Sequence, residues 1–172
     1  MSPLTLHPLL AYSQHNIAVG HCNAILWDLR EAPTSIRHVS NLDIVLTEHE
    51  LSELATTPPV KSLHVVCGLF AEDWPIDARN PQGVTILDVL KAIYTCLQTQ
   101  ITQEEWYRMC LKQRRRVSVV FDARWRVAKD TTITHAHGVL RADCLLQHTL
   151  FAGLTVSLET EGTCILTLRC PR

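Results

Sequence analysis

The chain has almost no net charge: 16 Lys and Arg stand against 17 Asp and Glu, a formal balance of −1 over 172 residues. Missing with it is the basic surplus by which nucleic-acid binders displace counterions from phosphate, so no nucleic-acid partner is expected. There is no Cys-x-x-Cys pair. The seven cysteines (Cys22, Cys67, Cys96, Cys110, Cys144, Cys164 and Cys170) are odd in number and scattered, which argues against a disulfide framework or a zinc knuckle. No apolar run reaches the ~18 residues that span a bilayer, and the opening Met1-Ser2-Pro3-Leu4 lacks the basic and apolar regions of a secretory signal. The expectation is a cytoplasmic protein with no membrane partner and with reduced thiols, most of them small core residues. A P-loop, a GxGxxG turn, a GxSxG elbow and a Cys/His signature are absent too. The familiar nucleotide-dependent and covalent mechanisms are thereby set aside, and no cofactor is expected.

What is present reads as one ordinary globule. The composition is 47% hydrophobic and 19% charged, enough apolar surface for one core, and no repeat or linker divides residues 1–172. Three Thr residues are each followed three positions later by an acid, with apolar residues just outside each pair: Thr47/Glu50, Thr85/Asp88 and Thr102/Glu105. These are capping boxes that start helices. Thr57-Pro58-Pro59 stops the first helix by about Ala55. The second shows a helical stripe of Ile86, Leu87, Leu90, Ile93, Tyr94 and Leu97. The third is expected to bury Trp106, Tyr107, Cys110 and Leu111 and to end in Arg114-Arg115-Arg116, cations that complement the carbonyl end of a helix.

Strands are expected at 24–29, 63–69, 117–121, 154–159 and 163–170, with a shorter one around 124–128. The last two long ones form a hairpin. A three-residue Thr160-Glu161-Gly162 loop, with Gly162 left-handed, sets Leu158 opposite Cys164 and Val156 opposite Leu166. Without a repeating βαβ unit, the fold class is α+β: a single domain whose largely antiparallel sheet packs against two main helices and one short one.

Few constellations suggest chemistry. His135 and His137 would share a face on a strand and offer two imidazoles to an ion; two ligands in a polar segment do not make a site, so no metal is assigned. Asp28 with Arg30, Asp122 with Arg124, and Arg141 with Asp143 repeat an acid/base pair at spacing two. Such pairs hold a polar substrate, tune a carboxylate, or simply close a sheet edge as structural ion pairs. Trp27, Trp74, Trp106 and Trp125 suit an apolar pocket or a core equally, and core packing accounts for Trp27 and Trp106.

The stretches His7-Pro8-Leu9-Leu10, Trp27-Asp28-Leu29-Arg30, Ala55-Thr56-Thr57-Pro58-Pro59 and Val84-Thr85-Ile86-Leu87-Asp88-Val89-Leu90, continued by Arg141-Ala142-Asp143 and Phe151-Ala152-Gly153-Leu154, together span nearly the whole chain. The pattern resembles an uncharacterised domain family of unknown function that is abundant in mushroom-forming fungi. The resemblance implies a self-contained fungal intracellular domain and no particular reaction. Its signature positions fall here on Trp27, Asp28, Arg30, Thr85, Asp88, Arg124, Arg141, Asp143 and Gly153. Thr85 and Asp88 are explained by capping; Trp27, Asp28, Arg30, Arg124 and Asp143 remain as candidate ligand-binding residues. The family pattern also leads one to expect a glycine turn between Asp143 and Phe151, where this chain has none.

Two functions stay open. One is an interaction module that recognises a protein partner, a small molecule or a second copy of itself through a sheet edge or a pocket between sheet and helices. The other is a small cofactor-independent lyase, isomerase or hydrolase, with Asp28 or Asp143 as acid/base and Arg30 or Arg124 holding an anion.

Overall fold

A computed structural model describes residues 3–13 and 23–171; Cys22 falls outside them. In chain order the elements are β1 (Thr5–Leu6), β2 (Ile25–Leu26), β3 (Arg37–His38), α1 (Glu48–Ser52), β4 (Thr56–Thr57), β5 (Ser62–Val66), β6 (Asp77–Arg79), α2 (Ile86–Leu97), α3 (Gln103–Arg108), α4 (Leu111–Arg126), α5 (Thr131–Ala136), a 3-10 segment (Arg141–Leu145), β7 (Leu150–Val156) and β8 (Thr163–Arg169). The fold is α+β. The main sheet runs β6-β5-β8-β7, with β5/β6 and β7/β8 antiparallel and β5/β8 parallel.

All three capping boxes form. Thr47, Thr85 and Thr102 accept from the amides of Glu50, Asp88 and Glu105 at 3.2, 3.2 and 3.1 Å, and each acid accepts the cap amide in return. From Thr85, α2 lays Ile86, Leu90, Ile93 and Leu97 against the sheet's inner face of Leu63, Val65, Cys164 and Leu166, all buried. The far edge of β7 is covered by chain on two levels. The Phe151 amide donates to the Trp27 carbonyl and the Leu29 amide to Thr149, while Leu154 and Tyr12 pair Leu10–Tyr12 to the same strand. Trp27 is thereby a core residue, 5.9 Å from the Phe151 ring.

Several expectations change. The third helix does not run to Arg116: Met109 and Cys110 are extended, and the chain re-enters a helix at Leu111 with Gln113 capping the Cys110 amide. Tyr107, Cys110 and Leu111 are exposed and Trp106 is half-buried; Glu105 is the buried residue of α3. The strands expected at 117–121 and 124–128 both lie inside α4. Val117, Val119 and Phe121 alternate like a strand, but no sheet edge receives them, whereas a helix satisfies its own backbone and lines up Val117, Phe121 and Trp125 at i, i+4, i+8. Arg114–Arg116 consequently sit near the amino-terminal end of α4, not at the carbonyl end of a helix that their charge would complement.

The hairpin keeps its faces but shifts by two residues, pairing Val156 with Cys164 and Leu154 with Leu166. Ser157 ends the strand early because its hydroxyl accepts the Glu159 and Thr160 amides. That leaves Leu158 wholly exposed, while Gly162 is left-handed as expected. Between Asp143 and Phe151 a turn is indeed present, and Leu146 takes the positive φ of 55° that suits a glycine.

Candidate functional site

The Asp and Arg residues picked out by spacing do not pair as written in the sequence. Asp122 turns to the Trp125 indole at 3.0 Å. Arg124 reaches instead to Asp143, its Nε and Nη2 each donating to a different carboxylate oxygen at 2.8 Å, and Nη2 also donates to the Gly138 carbonyl. Asp143 is 2% exposed and also accepts the Leu140 amide that opens the 3-10 segment. Arg141 turns the other way, to Glu105 at 3.2 Å, with its guanidinium 5.1 Å from the Trp74 ring centre and the Trp74 indole donating to the same carboxylate. The 3-10 segment is thus clamped between α4 and α3 by two ion pairs.

Asp28 and Arg30 form a self-contained pair, joined through a turn rather than along a strand: β2 stops at Leu26, and Asp28 accepts from the Arg30 amide and from Arg30 Nε and Nη2. This hydrogen bonding holds the Arg30 guanidinium above its usual value against the opposing effect of burial; the charges of Asp28, Glu31 and Asp143 add to the rise. His135, in α5, packs edge-on at 4.9 Å against Trp125 of α4. Two positions apart at helical geometry, His135 and His137 diverge by about 200° and no longer share a face. Among the described residues no group of three His, Cys, Asp or Glu is placed to hold a metal ion.

Burial opposes ionisation of Glu105 most strongly, yet the Thr102 amide and hydroxyl, the Trp74 indole and the Arg141 charge together keep its carboxyl below the ordinary 4.5. A carboxylate with a depressed folded pKa contributes stability that is complete above the ordinary value and is lost as pH falls from there through the lower folded value. Glu105→Gln should therefore lower stability at neutral pH and flatten the acid limb of a pH–denaturation profile below the ordinary 4.5. Nearby Cys144 is pushed up to about 12 by burial and by the charges of Asp143 and Glu105, and Cys164 to about 11 by burial. Both are protonated thiols at neutral pH, not nucleophiles.

A groove of about 480 Å³ opens between β6 and α2, with Ala78 and Ala92 on its floor and Arg141 at one end. β6 is the last strand of the sheet. The Val65 amide donates to the Ile76 carbonyl and the Asn80 amide to Lys61, and the register sets Ala78 opposite Leu63. Main-chain groups alternate in direction along an antiparallel strand, so those of Ala78 face β5 while the N–H and C=O of Asp77 and Arg79 point away from the sheet, beside the groove. Residue types gave no sign of this feature, because an edge is a property of strand order.

The molecule is an α+β domain in which Arg124 with Asp143 and Arg141 with Glu105 form internal clamps, and in which the outward main-chain groups of β6 lie along an edge of the main sheet. The chain belongs to the family of unknown function DUF6699, whose pattern matches residues 25–163. No curated protein and no solved structure matches it.

Proposed function

We propose that the chain is an interaction module that receives an extended peptide along β6, as an added strand whose alternate side chains enter the groove above Ala78 and Ala92. The observation that carries this reading is the outward direction of the Asp77 and Arg79 main-chain groups beside a groove floored by small side chains. Strand addition draws affinity from such backbone bonds and specificity from the pockets next to them. The charged side chains of Asp77 and Arg79 and the three-residue length of β6 limit indiscriminate edge pairing. The acid–base reading has less support: Asp28 and Asp143 are each chelated by an arginine, and neither carboxylate is held ready for a substrate proton. The proposed setting is the cytoplasm of a fungus, supported by the motif resemblance and by six described cysteines that are all free thiols.

The test uses two proline substitutions on one strand. Proline removes an amide hydrogen, and an edge strand tolerates it only where that hydrogen faces outward. Arg79→Pro should leave the denaturation midpoint nearly unchanged and abolish binding of peptides selected from a random display library; Ala78→Pro should lower that midpoint, because it removes an amide that faces β5. Selected peptides that bind the Arg79→Pro chain as well as the original would refute strand addition. A concentration-dependent dimer that Arg79→Pro dissolves would show that the occupant is β6 of a second copy.

A further inference from the structure

The outward face of α4 carries a strong excess of positive charge. This helix holds six of the sixteen basic residues and one of the seventeen acidic ones, so it carries five net positive charges and the rest of the chain six net negative ones. At about 100° per residue, Lys112, Arg115, Arg116, Val119, Ala123 and Arg126 form one exposed stripe, opposite the side on which Val117 is buried. Val119, near its centre, is 69% exposed. Among the described residues Lys112, Arg115 and Arg116 enter no ion pair, and Arg126 reaches Asp122 only at 4.0 Å. Three of these cations lie in the first two turns, and the helix dipole disfavours Lys112 in the first of them. No contact among the described residues accounts for them.

We infer that this stripe docks an acidic, amphipathic segment of a partner protein, its carboxylates meeting the four cations and one apolar side chain covering Val119 and Ala123. Charge complementarity selects the sign of the partner. Size and surroundings select its kind. From Lys112 to Arg126 the stripe is about 21 Å long at 1.5 Å per residue and one helix wide, the footprint of a short helix. A duplex covers more surface and would meet the negative remainder of the chain, while a bare valine and alanine at the centre give phosphates nothing to bond. The stripe shares no residue with the β6 groove, and its occupant is independent of the peptide proposed there.

Fluorescence anisotropy at low and at physiological salt, on the full chain, tests this with four probes. They are a helix-forming peptide with glutamates spaced to match the stripe around a central leucine, the same peptide with that leucine replaced by glutamine, a short RNA duplex, and vesicles of phosphatidylcholine with phosphatidylserine. The leucine peptide should bind tightest and lose affinity as salt rises; the glutamine peptide should bind several-fold more weakly. The double variant R115E/R116E should weaken the leucine peptide at least tenfold, as should Val119→Asp alone, with Arg79→Pro leaving it unchanged. All of these side chains are exposed, so circular dichroism should stay constant, and Lys112→Glu serves if the double variant does not fold. Binding of the duplex or the vesicles as tight as that of the leucine peptide, no binding of that peptide, or binding indifferent to the charge reversals would each overturn the inference.

Discussion

Replacing Gly153 with alanine is expected to cost about 3 kcal/mol or more, a large part of the 5–15 kcal/mol that typically separates folded from unfolded domains. Gly153 sits in β7 at φ +122°, beside the bulge after Phe151. A Cβ there would lie 2.6 Å from both the Cα and the amide nitrogen of Tyr12. Neither contact can be relieved by turning a side chain, because Leu10–Tyr12 is itself hydrogen-bonded to Leu154 on both sides of the approach. Gly68→Ala is the internal control: it has no positive φ and nothing within 4 Å of the added carbon, so its effect should stay within about 0.5 kcal/mol. Urea denaturation of the two variants measures the difference. A loss below about 1 kcal/mol at Gly153 would mean that Leu10–Tyr12 does not cover this strand.

The second large effect concerns the clamp on the 3-10 segment. Asp143→Ala should destabilise by about 2–4 kcal/mol, somewhat less than a fully buried pair, because the Arg124 side chain is 24% exposed. It strands a guanidinium that donated two bonds to the carboxylate and frees the Leu140 amide at the same time. Adding Arg124→Met and using leucine at 143 should recover much of the loss, since no uncompensated charge then remains. By contrast, Asp28→Asn and Arg30→Ala should each cost no more than about 1 kcal/mol, because Arg30 is 49% exposed. Should Asp143→Ala leave the denaturation midpoint where it was, the pair would not be a structural clamp and a ligand role for Asp143 would regain weight.

The sequence was most readable where the physics is local. A capping box needs only four consecutive residues, so the starts of α1, α2 and α3 were legible from Thr47, Thr85 and Thr102. The same holds for the left-handed turn at Gly162. It was least readable where a local preference lost to the surroundings. Val117–Phe121 has the alternation of a strand but lies in a helix that satisfies its own backbone and aligns Val117, Phe121 and Trp125, and the Arg114–Arg116 run lies near the start of that helix because the chain breaks at Met109 and Cys110. The charged residues were recognised and their partners were not: Arg124 and Asp143 are 19 positions apart and Arg141 and Glu105 are 36 apart, separations that no spacing rule reaches. Glu105 is both a helix cap and the acceptor under Trp74 and Arg141, and only the first role is local enough to read from spacing. The β6 groove was illegible for a different reason, since it depends on which strand lies outermost.

The central claim, that β6 is a receptive edge, is tested most directly by amide hydrogen exchange of the free chain and of its complex with a library-selected peptide. In the free chain the Asp77 and Arg79 amides should exchange rapidly and the Ala78 amide slowly, and the peptide should protect all three. Slow exchange of Asp77 and Arg79 without a peptide, or rapid exchange with one bound, would contradict strand addition at this edge.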